Sequence, residues 1–139
     1  MSFLKWSEKF SVGSNLLDTD HKRLFDLVQK LYTVSQDLDN QKQIVSVLVD
    51  LIDHTRAHFL HEETLMRRTA YPSFIHHKIE HDRLINQIEA FRKNLAAGQV
   101  GMAQETLVFL QTWLCEHISK IDKPLGRWLT KNNLQDDPI

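Results

Sequence analysis

Apolar positions in this chain recur at three- and four-residue steps, the period of one helical face. In a first segment His21, Leu24, Phe25, Val28, Leu31 and Tyr32 follow that step, with Asp18 as the predicted N-cap, and the pattern fades through Ser35 to Gln41. In a second, Ile44, Val47, Leu48, Leu51, Thr55, His58, Glu62 and Leu65 share a face. It ends before Tyr71-Pro72, because a residue preceding proline avoids the α region. A third runs from about Pro72 through Phe74, His77, His81, Leu84, Ile85, Ile88, Phe91 and Leu95, closed by Gly98 and Gly101. A fourth carries Ala103, Leu107, Leu110, Leu114, His117 and Ile121, with Pro124 ending or bending it. Leu125, Trp128 and Leu129 predict a short tail helix, and residues 132–139 read as loose. No alternating strand pattern occurs. The prediction is an all-α, single-domain chain over residues 1–139. An extended arm (1–17) anchored by Phe3, Trp6 and Phe10 precedes an up-down-up-down four-helix bundle (about 18–122) and a tail (123–139) with a short helix.

Composition narrows the function classes. With 42% hydrophobic and 25% charged residues the chain has a globular profile, and it has no apolar run long enough to span a bilayer. Lys5, Glu8 and Lys9 stand where a signal peptide needs apolar residues, so a cytoplasmic location is expected. Seventeen Lys and Arg against 18 Asp and Glu give no basic excess for nucleic acid. The single Cys115 excludes an intrachain disulfide and a thiolate cluster. What remains is 8 His, and histidine is both the commonest metal ligand and the usual acid/base residue.

Helical hairpins place residues equidistant from a turn side by side. With turns centred near residues 39, 70 and 99, His21 meets His58, Glu62 meets His77, His58 meets His81, and His81 meets His117 within about one helical turn. The pairs His58/Glu62 and His77/His81 are spaced i,i+4, so each shares a face, and those faces are the apolar ones. A lone buried histidine is usually a satisfied core residue. Five at one level cannot satisfy one another, because each neutral ring needs both a donor and an acceptor partner, and burial without partners costs roughly 1–3 kcal/mol per group. A metal resolves this by taking one nitrogen of each ring. Asp122 lies five residues beyond His117, about 140° around an ideal α-helix. Spacing alone leaves it open between a ligand, if the helix distorts before Pro124, and a cap for the tail helix.

The ordered set His21, His58-x-x-x-Glu62, His77-x-x-x-His81 and His117-x-x-x-x-Asp122 resembles the hemerythrin family, in particular the single-domain bacteriohemerythrins. The resemblance extends to Trp6, Val12-Gly13, Asp18-x-x-His21-x-x-Leu24, His58-Phe59-x-x-Glu62-Glu63-x-x-Met66, Tyr71-Pro72 and Trp113-x-x-x-His117. It implies a non-haem di-iron centre binding O2 reversibly, for storage, transport or delivery. By that resemblance His77, His81 and His117 hold one iron, His21 and His58 hold the other, and Glu62, Asp122 and an oxo or hydroxo group bridge them. On two octahedral irons this set leaves one position open, on the iron with two histidines. The resemblance also places Phe59, Trp113, Leu114 and Ile118 around the O2 pocket. Besides O2, it leaves room for an oxygen-requiring enzyme or a signalling partner, and a monomer is expected. The alternatives are a sensor acting through a partner, and a di-iron oxidase consuming O2, peroxide or NO. The Glu-x-x-His pairs of carboxylate-rich di-iron proteins do not occur here.

Other polar residues read as ordinary. His54 and His61 flank the core face and predict interhelix hydrogen bonds or partial exposure. His76 reads as surface, Cys115 as a partly exposed thiol and Glu63 as solvated. Arg67-Arg68 suits a helix C-terminus.

Overall fold

The computed structural model describes residues 3–37, 39–99 and 103–134. Gly101, the side chain of Ala103 and residues 135–139 lie outside the described residues. Helices α1 (Asn15–Val34), α2 (Gln41–Arg68), α3 (Phe74–Ala96) and α4 (Ala103–His117) form the bundle, in which α2 packs on α1 and α3 while α4 packs on both α1 and α3. A π-helical turn (Ile118–Asp122) leads from α4 directly into α5 (Lys123–Lys131). The fold is therefore the four-helix bundle with an N-terminal arm and a short C-terminal helix that the periodicity predicts. None of the described helices is long and apolar enough to cross a membrane.

The boundaries differ from expectation at three places. Ser14, not Asp18, caps α1: its side chain accepts from the Leu17 N–H at 3.3 Å. Gly13, at φ +84, reverses the chain just before Ser14, which moves the cap one turn earlier. Asp18 then lies inside the first turn, where its carboxylate accepts from the Val12 N–H at 2.9 Å and the Ser11 hydroxyl at 2.5 Å. Helix α3 starts at Phe74 rather than Pro72, because Phe74 N–H first closes a turn on the Tyr71 carbonyl at 3.2 Å. Pro124 lies beyond α4, which gives way to the π turn at Ile118; it sits in the first turn of α5, where its missing N–H is tolerated.

The arm is held rather than free. Phe3 stacks on Tyr32 at 4.7 Å, Phe10 meets Phe25 edge-on at 5.0 Å, and a short 3₁₀ turn occupies Glu8–Phe10. Gln29 Oε1 accepts from the backbone N–H groups of Phe3 and Leu4 at 2.7 and 3.0 Å. Helix α5 closes on the arm at Gly126, where an added Cβ would lie 1.9 Å from the Val12 carbonyl oxygen. Leu17, Leu48, Met66, Leu107, Leu125 and Leu129 are fully buried and fill the core.

Candidate metal centre

The four helices deliver their polar side chains to one buried layer. His21 comes from α1, His58 and Glu62 from α2, His77 and His81 from α3, and His117 from the last residue of α4. Their exposures run from 0% for His21 and Glu62 to 5% for His117. Asp122, 1% exposed, joins them through the π turn. There the Lys123 N–H reaches back to the Ile118 carbonyl, five residues away, instead of four. This wider winding returns residue i+5 toward the face of residue i, and so aligns Asp122 with His117.

Asp122 divides its two oxygens. Oδ1 lies 3.0 Å from His77 Nε2 and 3.1 Å from His117 Nε2, while Oδ2 lies 3.0 Å from His21 Nε2. Glu62 Oε1 lies 3.1 Å from His81 Nε2, 3.4 Å from His58 Nε2 and 3.6 Å from His77 Nε2. None of these contacts has hydrogen-bond geometry: the Nε2 atoms of all five histidines and both oxygens of each carboxylate are buried without hydrogen-bond partners. The atoms surround common points rather than one another. They fall into two sets, Glu62, His77, His81, His117 and Asp122 in one and His21, His58, Glu62 and Asp122 in the other, each with ligand atoms mutually within 4.8 Å. Glu62 and Asp122 belong to both. Leaving so many buried polar atoms unmet would be untenable without ions at those points, and an all N/O donor set suits first-row transition metals such as iron.

Charge reinforces the arrangement. Burial raises the Asp122 carboxyl, but the imidazoles of His117, His21 and His77 outweigh it and hold it well below the usual range. Glu62 is raised by burial and by Asp122, yet His58, His77 and His81 bring it below its ordinary value. Burial lowers His77, but Asp122 and Glu62 prevail and push it up to about 10. His21 and His81 rise for the same reason.

A second layer fixes the rings. His58 Nδ1 bonds Asp20 Oδ2 at 2.9 Å, and His81 Nδ1 bonds Glu63 Oε2 at 2.9 Å. With the Nδ1 proton donated outward to a carboxylate, Nε2 keeps its lone pair for the centre. Sequence reasoning missed Asp20, and Glu63 is not solvated as expected but about nine-tenths buried against His81. Helical arithmetic carried the signal for both: Asp20 precedes His21 at the level of His58, and Glu63 follows Glu62 toward α3. His61 also bonds Asp20, at 3.0 Å across the α1–α2 seam, and His76 is exposed, both as expected. Cys115 is partly exposed.

Apolar walls complete the centre. Phe59 stacks on His81 at 3.7 Å and lies 5.9 Å from His58. Trp113 stacks on His117 at 4.8 Å, so these two rings contact mainly the three-histidine set. Leu114 and Ile118 are buried.

The sequence matches the hemerythrin HHE cation binding domain over residues 12–129. It is 35% identical to the bacteriohemerythrin of Methylococcus capsulatus over 131 residues, which span 94% of this chain and 99% of the relative. It is 31% identical to that of Clostridium acetobutylicum over 122 residues, 85% of this chain and 95% of the relative. The fold superposes on a crystal structure of wild-type hemerythrin with a TM-score of 0.86 at 35% identity, covering 92% of this chain and 98% of the other. A point variant of a hemerythrin gives 0.88 at 34% identity, over 94% and 99%. Its sequence, its bundle and the buried cluster of five histidines and two carboxylates agree: the chain belongs to the hemerythrin family.

Proposed function

We propose that the whole chain acts as one hemerythrin domain that binds two iron ions and uses them to bind O2 reversibly, as a store or carrier rather than an enzyme. The observation that carries the reading is the sharing of Glu62 and Asp122 between two sets of buried, unpartnered ligand atoms. His77, His81 and His117 would hold one ion, His21 and His58 the other, and Glu62 and Asp122 would bridge. When bound, the iron pair supplies the electrons and the open coordination position that O2 requires.

The chain's own residues do the rest. Asp20 and Glu63 hold the imidazoles of His58 and His81 in the tautomer that presents Nε2. Five neutral donors against two carboxylates keep the centre less anionic than a carboxylate-rich site, which favours binding over oxidation of a substrate. Phe59, Trp113, Leu114 and Ile118 exclude water and protons from the layer.

The test is to load the protein anaerobically with ferrous iron, admit air, then remove the oxygen. Two irons per chain and a visible absorption band that appears and fades through repeated cycles support the reading. Failure to bind two irons, or a band that decays only with consumption of reductant, refutes it.

A further inference from the structure

Helix α5 carries a basic residue at every fourth position: Lys123, Arg127 and Lys131. Residues four apart share a helical face, so the three cations form one row. The row borders a groove of about 590 Å³ between α5 and the N-terminal arm, whose other walls include Ser11, Gly13 and Thr130. Two contacts fix those walls against each other. Gly126 lets α5 lie directly on the Val12 carbonyl, and the Lys123 ammonium donates to the Lys9 carbonyl at 2.6 Å. The groove is therefore formed before anything enters it. No carboxylate lines it, and none of the three cations makes an ion pair among the described residues. Asp18, the acid bonded to this part of the arm, is buried, with its oxygens accepting from the Ser11 hydroxyl and the Val12 N–H. The local excess of positive charge stands out in a chain whose net charge is −1.

We propose that this groove is the docking site for an acidic, extended segment of a partner protein. The spacing of the cations selects the extended form. Four residues of helix rise about 6 Å, and alternate residues of an extended chain lie about 6.6 Å apart. Acidic side chains at every second position of the segment therefore meet Lys123, Arg127 and Lys131 in turn. Exposed charge pairs are individually weak, so binding depends on the three acting together and on walls that need no rearrangement. The inference is independent of the metal reading, because none of these residues belongs to the buried cluster.

The test titrates the full chain into a fluorescein-labelled peptide, Gly-Glu-Val-Glu-Val-Glu-Gly, at low ionic strength and follows fluorescence anisotropy. The expected result is saturable binding that weakens as salt is added, with the dissociation constant raised about tenfold when Arg127→Gln and Lys131→Gln are combined. Both residues are exposed, so that variant should keep its fold. Lys30→Gln combined with Lys42→Gln removes the same charge from exposed positions on α1 and α2, and should leave the constant within about twofold. Absence of saturable binding, or an equal loss in the two double variants, overturns the proposal. A short single-stranded DNA that binds as tightly as the peptide shows charge attraction alone and overturns it too. Peptide binding seen only after residues 135–139 are removed assigns the groove to the chain's own Asp136 and Asp137, and overturns the partner.

Discussion

Replacing Asp20 by Asn perturbs one metal position selectively. The Asp20 carboxylate lies 2.9 Å from His58 Nδ1, and His58 is one of only two imidazoles in its ligand set. The amide keeps the shape but loses the charge, and it presents either a weaker acceptor or a competing donor to a ring that is 1% exposed. Outer partners of ligating histidines are worth roughly 10- to 100-fold in metal affinity, about 1.4–2.7 kcal/mol. Glu63→Gln removes the matching charge from His81, whose set retains two further histidines, so its loss should fall at the low end and on the other ion. The assay is competition of the metal-free protein against a chelator for zinc, with histidine resonances of His21 and His58 reporting one position and those of His77, His81 and His117 the other. His61→Ala is the control. It shares Asp20 at 3.0 Å but lies outside both ligand sets, so affinity should stay within about threefold. If Asp20→Asn and Glu63→Gln weaken both positions alike, or neither by as much as threefold, the outer carboxylates do not govern the ligands they touch.

Three further outcomes are expected. Leu114→Ala opens the buried wall beside His117 and should speed loss of the oxygen-binding state of the iron-loaded protein; an unchanged autoxidation rate removes the argument for a dry pocket. Without metal, the raised His77 adds stability that is complete below pH 6.5 and fades as the pH climbs through about 10, while the depressed Asp122 and Glu62 add stability that is lost on acidification below their ordinary values of 3.8 and 4.5. The denaturation midpoint should therefore decline from pH 6.5 to 10, and a flat profile over that range contradicts the coupling. Gly126→Ala forces a methyl onto the Val12 carbonyl and should lower stability by about 1–3 kcal/mol, read as a shifted urea midpoint; a neutral effect would show that α5 is not seated against the arm.

Much of the bundle was legible because two independent periodicities coincide. The 3.6-residue repeat located the helices, and equal distances from the turns were enough to place His21, His58, Glu62, His77, His81 and His117 at one height. What escaped was set by local backbone events. The cap moved to Ser14 because Gly13 turns the chain at a positive φ, which the residue type permits but does not demand. Asp20 escaped the sequence reading and Glu63 was read there as solvated, because each stands next to a candidate ligand, off the inward apolar face. Their partners lie on other helices, and only the packing of α1 on α2 and of α2 on α3 brings the pairs together.

Asp122 shows how a conflict between local rules can mark a candidate ligand. An ideal α-helix carries it about 140° from His117, off the shared face. Pro124 adds a second difficulty: inside an α-helix it would give up its bond to the Lys120 carbonyl and crowd that oxygen. One π turn answers both. The Lys123 N–H bonds Ile118, the winding widens, Asp122 rotates inward, and Pro124 falls in the first turn of the next helix, where no N–H is needed. The five-residue spacing that looked like a defect in the helical pattern is thus the spacing this winding requires. One local distortion therefore sets the inner carboxylate shared by the two sets of buried ligand atoms.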